Sequence, residues 1–347
     1  MNRKLIFSIL ISCVFLFSQG MKKVYIVASY EDTHFCGEPQ ETGTIKGLVK
    51  SGFYEGMNLS VKRFYMDSKR TNTTKELMAK VAKQALEEIE IFQPDVVVTL
   101  DDNAFREVGM KLCGNENIQV VFSGLNGQPE KYNEIRKFLD GRNPVLNITG
   151  IYEKLYVYRS IKVMQSAIPS AKDKAFVGIT DYSPTGNAIT KQFSMELTDD
   201  MKDIKWELFR VRNWEEYVSV IEQLNNREDV GVIYPVALTL KAKGKEKNYT
   251  ASEIFSWTIQ NNKLPEMALN NHFSKVGLFG GAAVNFESMG FQAGKLAGRL
   301  LEGENIQDLQ IEDASEFSIV FNIKRAKQLG IEIPTPLLIA ADIIFKE

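Results

Sequence analysis

Two adjacent carboxylates, Asp101 and Asp102, close the apolar run Val96-Val97-Val98-Thr99-Leu100 and are followed by Asn103-Ala104-Phe105. Paired acids suit general acid–base work or the holding of a hard cation. The spacing argues against both uses. Successive side chains at the end of a strand point to opposite faces, so the two carboxylates diverge. A metal needs further ligands, and the chain has only two histidines, His34 and His272, with no HExxH, no CxxC and no calcium-loop pattern. Asp102 or Asn103 stands where a helix N-cap belongs. Asp101 is left to take an ammonium group or to hydrogen-bond the next loop.

Other catalytic patterns are missing. "GTIKGLVKSG" and "GNENIQ" lack the phosphate-loop spacing, "GITDYSPTG" is not GxSxG, and "GLFGGAA" does not supply GxGxxG. Tyr182-Ser183-Pro184-Thr185-Gly186-Asn187 joins a strand pattern to a helix pattern. It is either a capped turn or a helix N-terminus open to a carboxylate.

The elements that must position these residues alternate. Strand patterns at 22–30, 59–66, 95–100 and 118–124 are separated by helix patterns at 41–53, 73–92 and 103–114. Leu77, Val81, Ala85 and Ile89 make one face of the long helix, with Thr73 or Thr74 as its cap. The order restarts with strands at 174–181, 205–211 and 230–236 and helices at 158–169, 186–197, 214–226 and 250–262. Strand and helix in strict alternation mean parallel sheets covered by helices. Two α/β lobes are expected, and the last third, with its helix at 287–303, completes them, so the chain crosses between lobes more than once.

Ligands of open parallel sheets bind beyond the carboxyl ends of the strands. Those ends carry Ser29 and Tyr30, Asp101 and Asp102, Ser123 and Asn126, Tyr182 and Ser183, and Tyr234. Hydroxyls, amides and aromatic rings of this kind hold a small polar molecule without changing it.

Length and charge agree with that picture. A chain of 347 residues that is 44% apolar can bury two cores, and its net charge of −2 does not suit nucleic acid or an anionic membrane as a partner. Residues 1–20, "MNRKLIFSILISCVFLFSQG", have a basic start, an apolar run and Ser18-Gln19-Gly20 before Met21. This is the pattern of a cleaved export signal. An uncleaved anchor and a lipoprotein box at "LISC" are the alternatives. Cys36 and Cys113 are expected at opposite ends of one lobe, too far apart to pair, and so as free thiols.

"VVFSGLN", "NITGIYE", "SAIPSAKDKAFVGITDYSPTGNA", "GVIYPV" and the segment from "GFQAGKLAGRLLEG" to "LLIAADIIF" resemble the substrate-binding proteins of ABC transporters in the TrpX-like family. The resemblance covers nearly all of residues 22–347. It implies a periplasmic binding protein type I fold, α/β, with two Rossmann-like parallel-sheet lobes joined by a hinge. One lobe would comprise 21–148 and 265–312, the other 149–264 and 313–347. It also implies an extracytoplasmic monomer that is not an enzyme and has no cofactor. Such a protein closes on a small-molecule ligand, an amino acid or similar, and delivers it to membrane permease subunits. By motif, Ser123, Asn126, Tyr182, Ser183 and Asn187 carry over as ligand-binding positions, Asn271 stands where many relatives have an Asp, and Phe286 precedes the last long helix. The same lobes would also serve a ligand-sensing partner of a membrane signalling protein. An exported α/β hydrolase using Asp101 and Asp102 is the rival outside the binding class.

Overall fold

The computed structural model describes residues 20–127, 129–198, 201, 203–246 and 248–346. The export signal expected over residues 1–20 therefore lies outside the described residues, apart from Gly20.

Apart from the short antiparallel pair Leu139–Asp140 and Asn143–Pro144, the strands in chain order are β1 (Lys22–Ala28), β2 (Leu59–Tyr65), β3 (Val96–Leu100), β4 (Gln119–Leu125), β5 (Ile148–Tyr152), β6 (Ala175–Asp181), β7 (Trp206–Val211), β8 (Val230–Pro235), β9 (Gly280–Val284), β10 (Glu312–Asp313), β11 (Phe317–Asn322) and β12 (Ile343–Phe345). The helices that matter here are α1 (Gly37–Lys50), α2 (Lys75–Phe92), α3 (Asp101–Glu107), α4 (Val157–Ala167), α5 (Pro184–Glu196), α6 (Trp214–Leu224), α7 (Ala251–Asn261), α8 (Asn271–Val276), α9 (Phe286–Leu301) and α10 (Ile323–Gln328).

The chain divides into two compact α/β units. The first gathers the chain up to Leu125 with Pro129–Tyr152 and Phe286–Ala314. Its sheet has the order β10-β5-β4-β3-β1-β2, with every neighbouring pair parallel. Val96–Leu100 are all buried, as a strand covered on both faces must be. The chain leaves β1 toward β2 on one side, returns through α2 to β3 on the other, and then continues outward. The strand order therefore reverses between β1 and β3, the kind of place where open α/β sheets bind ligands. The register sets Ala28 beside Leu100 and Leu100 beside Ser123, so the polar residues that end β1, β3 and β4 arrive at one rim.

The second unit takes Asn126 and Gly127, Glu153–Asn285 and the chain from Ser315 onward. A parallel sheet β8-β6-β7 stands beside a second sheet, β9-β11-β12, in which β9 and β11 run antiparallel. Residues 266–270 link the two through single bridges, Ile233 to Glu266, Met267 to Gly280 and Asn270 to Val284. This placement differs from the expectation that 265–312 belong with the first lobe. Residues 265–285 cluster in the second unit, because the 266–270 segment takes its backbone partners from β8 and β9.

Cys36 and Cys113 are not joined in a disulfide, as expected, and Cys113 is buried. Among the described residues no helix is long and apolar enough to cross a membrane.

Candidate functional site

The rim of the first unit is a connected polar network. Ser29, just past β1, donates its hydroxyl to the Leu100 carbonyl at 2.7 Å and accepts from the Ala104 N–H at 2.8 Å. It thus caps α3 from another strand, satisfying one of the donors that a helix start leaves open. This corrects the sequence expectation that Asp102 or Asn103 is the cap. Helix α3 begins at Asp101, the residue before it is Leu100, and no side chain within the segment caps it. Asp102 instead accepts from the Tyr132 hydroxyl, and burial pushes that phenol above its ordinary range. Asn103 donates to Ser68 at 2.8 Å, and the Ser68 hydroxyl donates to the Ser29 carbonyl at 2.6 Å.

Asp101 turns the chain from β3 into α3 with a left-handed φ of 68°. Its side chain is 3% exposed. Gln40 of α1 reaches it from 61 residues away, donating Nε2–H to Oδ2 at 3.2 Å. The same amide accepts the Ser123 hydroxyl at Oε1, at 2.8 Å. Burial pushes the Asp101 carboxyl up to about 7; the positive charge of Lys69 opposes the shift, Asp102 adds to it, and the Gln40 hydrogen bond opposes it.

Gln40 is held by helix packing. A Cβ at Gly43 would lie 2.0 Å from the Glu287 carbonyl oxygen, and one at Gly47 2.3 Å from that of Phe291. Gly290 and Gly294 on α9 meet the Gln40 and Thr44 carbonyl oxygens at 2.0 and 2.1 Å in the same way. Two helices touch backbone to backbone through small residues at spacings of four. The sequence reading missed Gln40 because it started the helix at 41. Gln40, Gly43, Thr44 and Gly47 follow an i, i+3, i+4, i+7 pattern, and that spacing was the available signal.

Beside this network the Tyr30 ring lies tilted at 41° against His34, 4.2 Å between centroids, and Lys69 Nζ lies 4.0 Å above the Tyr30 ring. His34 Nδ1 accepts from the Cys36 N–H at 3.2 Å. Phe286 opens α9 and is buried.

In the second unit, Asp181 ends β6 and is fully committed to its loop. Oδ1 accepts from the Ser183 N–H at 2.8 Å and Oδ2 from the Thr239 N–H at 2.5 Å. Ser183 caps α5 by accepting from Gly186 at 3.1 Å. Tyr182 stands 48% exposed with two guanidinium groups on its ring, Arg210 at 4.0 Å and Arg212 at 5.0 Å. Arg210 is fixed by the Asp181 carbonyl at 2.8 Å and by Asn187 Oδ1 at 2.5 Å. Tyr182, Ser183, Asn187 and Arg210 therefore form one basic, aromatic edge at the start of α5, suited to an anionic or aromatic group. Arg210 had no signal in the sequence reading beyond its place at the end of β7.

The remaining expected positions are scattered. Asn126 donates to Glu153 at 3.3 Å. Tyr234 is 1% exposed and packs inside the core against Phe193, not on the rim. Burial raises its phenol well above the ordinary range, and its hydroxyl finds no partner among the described residues. Asn271 opens α8, and its buried Oδ1 finds no partner among the described residues. Among the described residues no group of three or more His, Cys, Asp and Glu side chains is placed to hold a metal ion.

Residues 40–344 match the family described as ABC transporter substrate binding protein. No curated protein matches the chain at a significant level. Three solved structures share the fold with a TM-score of 0.67 each. One is the ABC domain in complex with L-Trp from Streptococcus pneumoniae, 18% identical, with 93% of this chain and 99% of that chain covered. Another is a conserved domain protein from Vibrio cholerae, 20% identical, with 93% and 99% covered. The third is a substrate-binding protein with adhesive properties from Clostridium difficile in its ligand-free, open structure, 18% identical, with 94% and 100% covered. At these identities the likeness is one of fold.

Proposed function

This chain belongs to the ABC transporter substrate-binding protein family, and on that premise we propose that it captures an amino acid or a similar small polar solute between its two lobes by hinge closure and hands it to membrane permease subunits. The fold is the type I periplasmic-binding fold, and proteins of this family bind substrates outside the cytoplasm. Capture requires that the ligand favour one conformation by contacts made only there, since equal affinity for two states shifts neither.

The observation that carries the proposal is the polar network at the β1/β3 reversal, where Asp101, Gln40 and Ser123 meet. The strand-order reversal there is the kind of place where open α/β sheets bind ligands, which supports this reading. Arg210, Tyr182 and the start of α5 would contact a second part of the solute. L-Trp is the ligand named for the Streptococcus pneumoniae structure, which makes amino acids the first compounds to test. The chain acts by binding, and Asp101 and Asp102 are not a catalytic pair in this proposal.

The test is thermal unfolding of residues 21–347 against amino acids, purines and short carboxylates. A true ligand at a hundredfold excess over its Kd adds about 2.7 kcal/mol and raises the melting temperature by several degrees. Turnover of any of these compounds, abolished in Asp101→Asn, would replace this reading with a hydrolytic one.

A further inference from the structure

We infer that the Asp101 carboxylate accepts a protonated amine of the solute, and that Gln40 is the positioning residue that holds this carboxylate for it. The inference rests on the capture reading and names the chemical group captured.

The hydrogen bonds have a direction. An ionised carboxylate only accepts, so the Gln40 NH2 must face Asp101 and its carbonyl must face Ser123, whose hydroxyl then donates. The chain Ser123 to Gln40 to Asp101 thus ends on Oδ2 and pins one oxygen. A carboxylate has room for about four hydrogen bonds, and Gln40 is the one hydrogen-bond donor to Asp101 among the described residues. Acceptor capacity is left over on a side chain that is 97% withdrawn from water.

A purely structural residue here would be asparagine. It adopts the left-handed turn at least as readily, has the same shape, and needs no charge in a buried place. What aspartate adds is the negative charge, which is costly to bury unless something positive completes it. Lys69 is one positive group acting on Asp101, but its ammonium sits over the Tyr30 ring at 4.0 Å. Asp102 adds a second negative field. An anion would be repelled at this rim. A divalent metal would need several more oxygen ligands than the single carboxylate, Ser29 and Ser123 offer. An ammonium, with three N–H donors and one charge, matches a buried carboxylate that holds acceptor capacity beyond its Gln40 hydrogen bond.

The experiment is calorimetric titration of residues 21–347 with L-amino acids, with the matched amines that lack the carboxylate, and with the matched propionates that lack the amine. An amine-bearing compound binds, and loss of the amine weakens binding at least about tenfold. Asp101→Asn weakens the amine-bearing compound by the same order and leaves the propionate within about twofold. Affinity for the amine falls as the pH drops below about 7, where Asp101 takes up a proton; Lys69 and Asp102 are the other charged groups acting on it. Gln40→Leu removes a donor to the ionised form and moves that midpoint upward, which a merely structural contact would not do. A propionate that binds as tightly as its amino acid, or an Asp101→Asn variant with unchanged affinity, overturns the assignment and leaves capture standing. Binding by no member of the set overturns both.

Discussion

Arg325 holds Glu266 through two nitrogens, Nε to Oε2 at 3.1 Å and Nη2 to Oε1 at 2.5 Å, and neither side chain is more than 4% exposed. The guanidinium also donates to the Ile259 and Asn262 carbonyls, and Asn262 donates to Glu266 at 2.7 Å. This cluster ties α10, the end of α7 and the 266–270 segment together. Glu266→Gln leaves a buried guanidinium without its counter-charge. It should lower the stability of the second unit by about 3–5 kcal/mol, read as an earlier urea midpoint for that unit.

Gly290→Ala drives a methyl group into the Gln40 carbonyl oxygen. Backbone on both sides leaves nothing flexible to yield, so the loss should reach about 3 kcal/mol, the upper end for overpacking. Solute affinity should fall too, because Gln40 moves with α1. Gly37→Ala is the control. Its Cβ would have only His34 nearby, at 4.0 Å, and its stability should stay equal or rise by about 0.5 kcal/mol.

Ser29→Ala removes the cap on α3 and the donor to Leu100 together. The cost should be about 1–2 kcal/mol. Hydrogen exchange should show Ala104 losing protection before the strands do.

Asp101 weakens the fold where it is ionised. Burial raises its folded-state pKa to about 7, above the 3.8 of an ordinary aspartate. The folded protein therefore binds more protons than the unfolded chain between those values, and stability falls as pH rises through that window. Asp101→Asn should match the wild type near pH 4 and exceed it at pH 8 by up to about 4 kcal/mol. An equal gain at both pH values would show that charge is not the cause.

Tyr182→Ala removes a ring that is half in solvent. The melting temperature of the free protein should fall by no more than about 4 degrees, since exposed cation–π contacts are worth about 0.5–1 kcal/mol. Solute binding should weaken.

The regular elements could be read from the sequence because local signals agree there. The apolar run before Asp101 fits a buried strand, and of the two candidate caps Thr73 and Thr74 it is Thr74, accepting from Leu77, that starts the long helix α2. The polar strand ends were visible for the same reason. What stayed hidden was long-range. "SYEDTHFCGEPQ" carries no apolar period, and Pro39 obscures a helix that begins at Gly37 and tolerates proline in its first turn. The cap of α3 comes from Ser29, 75 residues before Ala104, so no local pattern could announce it. Tyr234 looked like the other strand-end residues, yet it points into the core against Phe193. The side to which such a residue turns depends on neighbours that adjacent sequence does not specify.

The route of the chain through the first unit also sets a timetable for its manufacture. Residues up to Leu125 and from Pro129 to Tyr152 emerge early, but α9 and β10 emerge only after the whole stretch from Glu153 to Asn285. Until then the groove at Gly43 and Gly47 lacks the helix that fills it, and β5 lacks its outer neighbour. A nascent chain cut short before Phe286 should therefore be protease-sensitive throughout its first half, and the first unit cannot close until residues 286–314 have left the ribosome.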